Sequence, residues 1–229
     1  NINNPSKAQN ITDVSPFHTK WINSKTNPNL INEIRLIKAF CKANRLYGAE
    51  SYIRGFSGYV LEILIIYYGS FQKLIKAATQ WKSGIIINKE KYKSKLNPSK
   101  ISPLIVIDPV QKERNAAAAL SEKKFKEFIE LAKKFYHNPS KEFFEKKIFD
   151  PGKLHGAIVV KAIPLQGRED IIGTKLVKVL EYIAKKLEGE GFGVKEYDWD
   201  WNSEAIFWYF VKKENLRIMK LSLYLKELM

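Results

Sequence analysis

Residues 27–70 read NPNLINEIRLIKAFCKANRLYGAESYIRGFSGYVLEILIIYYGS, and this stretch predicts two helices joined by a hinge. Asn27 suits the N-cap of the first helix, and Pro28 suits its first position, where the N–H that proline lacks would have no partner. Apolar residues then recur on one face at helical spacing: Ile34, Ile37 and Cys41. Gly48 follows as the expected stop of this helix.

The opposite face of the first helix carries a basic stripe: Arg35, Lys38, Lys42 and Arg45. A stripe of this kind is most often a solvated surface, so it does not identify a binding site by itself. Beyond the hinge, the nearly all-apolar segment 60–68 predicts a second helix that is buried on most sides and ends at Gly69. At about nine residues this helix is too short to span a bilayer.

The composition indicates a folded protein that binds polyanions. The 229 residues are 45% hydrophobic and carry a net charge of +15. Nucleic acid is the first candidate for such a charge and an acidic membrane surface the second, while a general charge bias for solubility is the plain alternative. The single cysteine excludes an internal disulfide and fits a reducing, cytoplasmic setting. The three histidines are too far apart in sequence for metal-ligand spacing, and there is no transmembrane run.

Around the two-helix core, the pattern predicts a mainly helical domain with one short pair of strands. We expect residues 13–21 to be extended because of Pro16, and a third helix to start at Ser70. Residues 84–88 and 104–107 are the expected strands, with a basic loop between them. Asn115 is expected to cap the alanine run 116–119, and Ser121 to cap a longer amphipathic helix.

The second half of the sequence predicts a ferredoxin-like β-α-β-β unit, so the overall fold class is α+β. Its elements are a strand at 156–163, a helix at 170–187, strands at 194–201 and 205–211, and a last helix at 215–229. Aromatic residues crowd the last two strands, where they could stack on bases as in RNA-binding sheets. Strand alternation instead places about half of them in the core.

Five strings in this sequence resemble one known family. They are D-V-S-P-F-H (13–18), R-L-I-K-A-F-C-K (35–42), L-Y-G-A-E (46–50), R-G-F-S-G-Y (54–59) and D-P-V-Q-K-E-R-N (108–115). In order and spacing they resemble the second domain of archaeal-type (class I) CCA-adding enzymes, the tRNA nucleotidyltransferases that build the 3′-terminal CCA. The resemblance is close over residues 13–120. Beyond them only the order of elements agrees.

The resemblance implies a division of the chain into three parts. Residues 1–12 are expected to be a linker or cut end, and residues 13–140 the substrate-binding second domain of a tRNA nucleotidyltransferase. Residues 150–229 are expected to form a ferredoxin-like RNA-binding body or tail region that is truncated at its C-terminus. The expected location is cytoplasmic, as the composition also indicates.

The resemblance also assigns site residues. His18, Lys38, Tyr47 and Arg114 are implied to contact the incoming ATP or CTP, with Arg114 reading the Watson–Crick edge of the base. A second set is implied to shape the same pocket: Arg54, Ser57 and Gly58. Relatives often carry a second asparagine where this sequence has Ala119, so a polar role at that turn is in doubt.

Family members use two Mg²⁺ ions held by three carboxylates in a separate head domain. Gly69-Ser70 matches the start of the head-domain motif, but no acidic-x-Asp pair follows it, and Asp198-Trp199-Asp200 stands alone. We therefore expect the head domain to be absent from this sequence, which then contains no catalytic or metal-binding residue. The expected partners are tRNA, ATP or CTP, and a head domain in cis or in trans that binds Mg²⁺. No membrane partner is expected, and a homodimer is left open.

Two other functions remain open from the sequence. The chain could be a non-catalytic tRNA- or RNA-binding module that keeps the fold without the chemistry. It could also belong to a related nucleotidyltransferase, such as a poly(A) polymerase, although the L-Y-G-A-E and R-G-F-S-G-Y strings favour the CCA-adding enzymes.

Overall fold

The computed structural model describes residues 11–146 and 150–212, and the chain divides into two compact units, residues 1–147 and residues 148–229. The elements of the first unit are α1 (Ile11–Lys25), α2 (Pro28–Ala43), α3 (Gly58–Tyr68), α4 (Phe71–Ala78), β1 (Ile85–Ile87), β2 (Leu104–Val106) and α5 (Glu122–His137). Strands β1 and β2 pair in parallel, with Ile86 opposite Ile105. A helical domain with one short strand pair was predicted and is confirmed.

Helix α3 is the buried centre of the first unit. Six of its residues are buried: Val60, Leu61, Ile63, Leu64, Ile65 and Ile66. Ser57 caps its start by accepting a hydrogen bond from the Val60 N–H, and Gly69 ends it in the left-handed conformation with φ +86°. A helix that is apolar on nearly every side is stable only when other elements surround it, and here α1, α2 and α4 pack against it.

The N-terminal segment is helical, so the predicted extended conformation is wrong. Pro16 lies inside α1. Val14 and His18 are buried, and Trp21 packs against the core, so the i, i+4, i+7 face of the helix lies on the rest of the unit. Burial of that face outweighs the cost of placing a proline within a helix.

Helix α2 ends at Ala43, five residues before the predicted stop at Gly48. Arg45 adopts the left-handed conformation, with φ 58°. The Leu46 N–H donates to the Cys41 carbonyl at 2.8 Å and the Arg45 N–H to the Lys42 carbonyl at 3.3 Å, which is a Schellman ending. Burial of Leu46 against the core fixes this ending, although a non-glycine residue occupies the left-handed position.

Residues 116–119 form turns and no helix, so Asn115, whose side chain accepts from the Ala117 N–H, caps a turn instead of a helix. The Asn115 side chain is buried and makes four hydrogen bonds. Its oxygen accepts from the N–H groups of Val106 and Ala117, and its amide donates to the Lys100 carbonyl and the Ser102 hydroxyl. These bonds tie the turn to the end of β2 and to the segment before it.

The second unit contains β3 (Ile158–Ala162), α6 (Glu169–Gly189), β4 (Val194–Trp201) and β5 (Ala205–Val211). The sheet order is β3-β5-β4, with both pairs antiparallel, which confirms the predicted β-α-β-β unit. Several aromatic residues form the core with α6: Trp199, Trp201, Phe207 and Tyr209. The predicted last helix, 215–229, lies outside the described residues.

Candidate nucleotide-facing site

A buried carboxylate, Asp108, connects three elements of the first unit. It follows β2 and has no exposed surface. Its Oδ2 lies 2.5 Å from Arg114 Nη1 and 3.3 Å from Nε2 of His18 on α1. Its Oδ1 accepts hydrogen bonds from the Tyr59 hydroxyl of α3 at 3.0 Å and from the Val110 N–H at 2.8 Å. The carboxylate thus holds the Arg114 and His18 side chains beside the start of α3.

The surroundings of Asp108 keep this carboxyl ionised. Burial alone raises its pKa, but the His18 imidazole, the Val110 N–H and the Arg114 guanidinium outweigh burial, and the pKa falls below its ordinary value. The Tyr59 pKa is raised by burial and by the negative charge of Asp108. The phenol therefore stays protonated and acts as a donor to the carboxylate.

The His18 ring contacts Asp108 through Nε2 and the Tyr59 ring through its face. It stacks on the Tyr59 ring with 4.0 Å between ring centroids, and it is 8% exposed. Arg114, in contrast, keeps 37% of its side chain exposed while one of its nitrogens contacts Asp108. A guanidinium has five N–H donors, so the contact to Asp108 orients the fork and leaves donors for another group.

Lys38 and Glu62 form a second polar pair, where α2 meets α3. Lys38 Nζ lies 2.6 Å from Glu62 Oε1, and each side chain is about one quarter exposed. Glu62 is also close enough to the Tyr59 hydroxyl for its charge to raise the Tyr59 pKa. The Asp108 cluster and the Lys38 pair are therefore neighbours on the first turns of α3.

Gly58, the first residue of α3, lies where Lys38 and Tyr47 converge. A Cβ built on Gly58 would lie 2.8 Å from the Tyr47 hydroxyl and 3.7 Å from Lys38 Nζ. Lys42 contributes a further cation, with its Nζ 4.9 Å from the centroid of the Tyr47 ring. A hydroxyl and cations next to a helix N-terminus form an electropositive position, since the helix dipole places partial positive charge there.

The hinge before α3 is held by backbone contacts. The Gly55 N–H donates to the Gly48 carbonyl, and the Phe56 N–H donates to the Leu46 carbonyl, both at 2.7 Å. A Cβ on Gly55 would lie 2.3 Å from the Leu46 oxygen, so only glycine permits this approach. Arg54 has φ 53°, its Nε donates to the Ser51 carbonyl, and its own carbonyl accepts from the Ser121 N–H.

The structure thus brings His18, Lys38, Tyr47 and Arg114 to the first turns of α3, with Ser57 and Gly58 in the turn itself. Arg54 lies in the preceding hinge. Asp108 contacts the Arg114 guanidinium, whereas Glu113 lies 3.9 Å from Lys112 and makes an exposed ion pair with it. Ala119 lines a small recess beside Ser57, together with other alanines.

Sequence reasoning missed Glu62 and Tyr59. The signal for Glu62 was present, because it is the only charged residue in the apolar helix α3. Charged residues are seldom placed in such a helix without a partner. Tyr59 had no comparable signal, because a tyrosine at the start of a buried helix is equally compatible with simple packing.

A magnesium site does not fit the residues that the structure describes. Within residues 11–146 and 150–212, no group of three histidine, cysteine, aspartate or glutamate side chains is placed to hold a metal ion. The Gly69-Ser70 match is structural, since Gly69 ends α3 and Ser70 caps α4. Asp198 and Asp200 lie on β4 in the second unit, opposite Trp208 and Ile206 of β5.

Comparisons with known proteins identify the family of this chain. Residues 32–145 match the family described as tRNA nucleotidyltransferase, second domain. The chain is 38% identical over 197 residues to the CCA-adding enzyme of Saccharolobus shibatae, covering 84% of this chain and 46% of that protein. It is 31% identical over 235 residues to the CCA-adding enzyme of Methanothermobacter thermautotrophicus, covering 98% and 51%. The chain therefore spans about half the length of these relatives.

No helix among the described residues is long and apolar enough to cross a membrane.

Proposed function

Because the chain belongs to the tRNA nucleotidyltransferase family of the archaeal CCA-adding enzymes, we propose that it is the nucleotide- and tRNA-binding part of such an enzyme. The whole enzyme would add CCA to the tRNA 3′ end from CTP and ATP. The observation that carries this proposal is the convergence of Lys38, Tyr47, His18 and Arg114 on the first turns of α3. A cytoplasmic location stays a prediction, based on tRNA as the substrate.

In this proposal, Lys38 and Tyr47 bind the triphosphate of ATP or CTP. Lysine is a compact cation suited to phosphate oxygens, and the Tyr47 hydroxyl can donate to the same group. Both lie against Gly58, where the N-terminus of α3 adds its positive potential. The Lys38 contact with Glu62 would hold the ammonium in place until the nucleotide arrives.

Arg114 and His18 would contact the other parts of the nucleotide. The exposed donors of the Arg114 fork can reach acceptors on the edge of cytosine or adenine, whereas uracil presents a donor at N3. His18 would reach the ribose or a phosphate. Asp108 would act as a positioning residue, because it contacts both side chains and is itself buried. Arg54, Ser57 and Gly58 would shape the same pocket.

Mg²⁺ would be supplied to the reaction by carboxylates of a head domain, in cis or in trans. When bound, the ions lower the pKa of the attacking hydroxyl and neutralise the triphosphate. The described residues of this chain offer no such carboxylate group. Their part would be to bind and orient the nucleotide and the tRNA.

Nucleotide binding by the chain itself tests the proposal. We expect Lys38→Met to weaken ATP and CTP binding at least tenfold in equilibrium dialysis, because the triphosphate loses its main cation. Lys133→Met is the matched control. Lys133 forms a similar pair with Glu130, at 2.8 Å, but lies on α5. Equal affinities of the two variants would contradict the assigned role of Lys38.

The alternative of a non-catalytic RNA-binding module predicts a different result. Such a module would bind tRNA but would show no saturable binding of ATP or CTP, with or without Lys38. A poly(A)-polymerase-like relative would bind ATP with a clear preference over CTP, whereas the proposed function requires both nucleotides to bind.

A further inference from the structure

Residues 88–100, in the connection between β1 and β2, carry four lysines that face solvent: Lys91, Lys93, Lys95 and Lys100. We call this segment the lysine loop. No aspartate or glutamate occurs between Glu90 and Asp108. In the part of the chain that the structure describes, none of these four lysines has a carboxylate oxygen within 4.0 Å. Their charge is therefore available to an external anion.

Two lysines of α5 are neutralised by carboxylates on the same helix. On α5, Lys126 lies 3.4 Å from Glu122, and Lys133 lies 2.8 Å from Glu130. Pairs of this kind on an exposed helix contribute little to stability, but they cancel charge locally. The lysine loop thus differs from α5 in its uncompensated charge.

The first part of the lysine loop is anchored to the core of the unit. Glu90 accepts a hydrogen bond from Trp21 Nε1 at 3.1 Å and forms an ion pair with Lys25 of α1 at 3.3 Å. Lys89 Nζ donates to the Ile66 carbonyl at the end of α3. The Asn88 side chain accepts from the Tyr92 N–H and donates to the Tyr92 carbonyl. The exposed lysines consequently project from an ordered segment.

Both ends of the lysine loop attach to the segment that carries Arg114. The Tyr92 hydroxyl donates to the Pro109 carbonyl at 3.0 Å, directly after Asp108. The Lys100 carbonyl accepts from the Asn115 amide at 3.0 Å, directly after Arg114. The loop is therefore fixed beside the candidate nucleotide site.

The exposure of residues 93–97 alternates along the loop. Lys93, Lys95 and Asn97 are exposed, while Ser94 and Leu96 are partly buried. In a chain with this period, alternate side chains lie on one side and about 6.6 Å apart. Such a row of cations can follow successive phosphates of one nucleic-acid strand.

We propose that the lysine loop binds the phosphates of the tRNA strand that leads to the 3′ end. The inference rests on the proposed function, because that function places the incoming nucleotide, to which the tRNA 3′ end is joined, beside Arg114. The contacts would be to phosphate and would carry no base specificity. They would guide the strand toward the first turns of α3.

The test compares two triple variants of the full chain that change the net charge equally. Lys93→Gln/Lys95→Gln/Lys100→Gln removes three of the four exposed loop charges, and Lys126→Gln/Lys133→Gln/Lys134→Gln removes three charges from α5. Affinity for a tRNA transcript lacking CCA is measured over a range of salt concentrations. We expect the slope of log K against log[salt] to become shallower by about 2 for the loop variant, at about 0.7 for each phosphate contact, and to change much less for the α5 variant.

Equal slopes for the two variants would overturn the lysine-loop proposal, because the binding would then reflect net charge alone. A loop variant with a normal slope for tRNA but weakened binding to phosphatidylserine vesicles would overturn it in favour of a membrane surface. Failure of the unaltered chain to bind tRNA at low salt would instead contradict the proposed function, and the lysine-loop proposal with it.

Discussion

At the residue scale, the geometry of the candidate site depends on the charge of Asp108. Its depressed pKa means that the folded protein binds a proton there less tightly than the unfolded chain does. The carboxylate therefore contributes stability above its unfolded pKa of about 3.9. That contribution is lost as the pH falls through the folded-state value.

We predict that Asp108→Asn lowers the free energy of unfolding at neutral pH by about 1.5–3 kcal/mol, the usual range for hydrogen bonds to a charged group. The difference from the unaltered protein should shrink as the pH falls from about 4 through the lower folded-state pKa of Asp108, and below that pKa neither folded protein carries the charge. Urea unfolding measured at several pH values checks this. Glu113→Gln is the control, since Glu113 is exposed. A difference that stays constant with pH would contradict the role of the charge.

At the element scale, the helices and strands whose ends are set by local sequence rules were predicted well. The capped, glycine-ended helix α3 and the alternating strands β4 and β5 were predicted within two residues of their ends. Helix α1 was not, because its helical state depends on burial of Val14 and His18 against distant elements. The early end of α2 depends likewise on the burial of Leu46.

The same division applies to the candidate site. The contact of Asp108 with Arg114 is local in sequence, because the two residues are six positions apart in one loop. The contacts of His18 with Asp108 and of Lys38 with Glu62 join different elements, so only the folded structure reveals them. Glu62 is the intermediate case. As the single charged residue of the apolar helix α3 it is expected to have a partner, but the sequence does not show which residue that is.

We predict that Gly58→Ala, at the start of α3, weakens ATP binding without lowering the stability of the protein. Alanine favours helix over glycine by up to about 1 kcal/mol, and the added Cβ comes too close only to the movable end of the Tyr47 side chain, while its contact with Lys38 is an ordinary one. Stability should therefore stay unchanged or rise slightly, while ATP affinity falls severalfold because the Tyr47 hydroxyl is displaced. Thermal unfolding and equilibrium dialysis measure the two effects.

Gly189→Ala is the matched control for this prediction. Gly189 ends α6 in the second unit, and a Cβ there would have no neighbour within 4 Å. This variant should leave ATP affinity unchanged. If Gly58→Ala also kept full affinity, the position of the Tyr47 hydroxyl beside Gly58 would be unimportant for the nucleotide.

At the scale of the whole molecule, the chain has features suited to binding, but its described residues include no group that could hold a metal. It carries a net charge of +15, a cluster of polar side chains at the first turns of α3 and a row of exposed lysines. It also spans about half the length of the related CCA-adding enzymes. Polymerase-type sites hold their metal ions with carboxylates, and residues 11–146 and 150–212 contain no group of three such side chains placed to hold a metal ion.

We therefore predict that the purified chain transfers no nucleotide by itself, although it binds nucleotide and tRNA. It would be incubated with tRNA lacking CCA, Mg²⁺ and labelled CTP or ATP, and the tRNA 3′ end would be examined on a sequencing gel. A complete archaeal CCA-adding enzyme serves as the positive control, and adding a separate head domain tests whether activity appears in trans. Incorporation by the chain alone would show that the metal-binding carboxylates lie within it, and the division of roles proposed here would then be wrong.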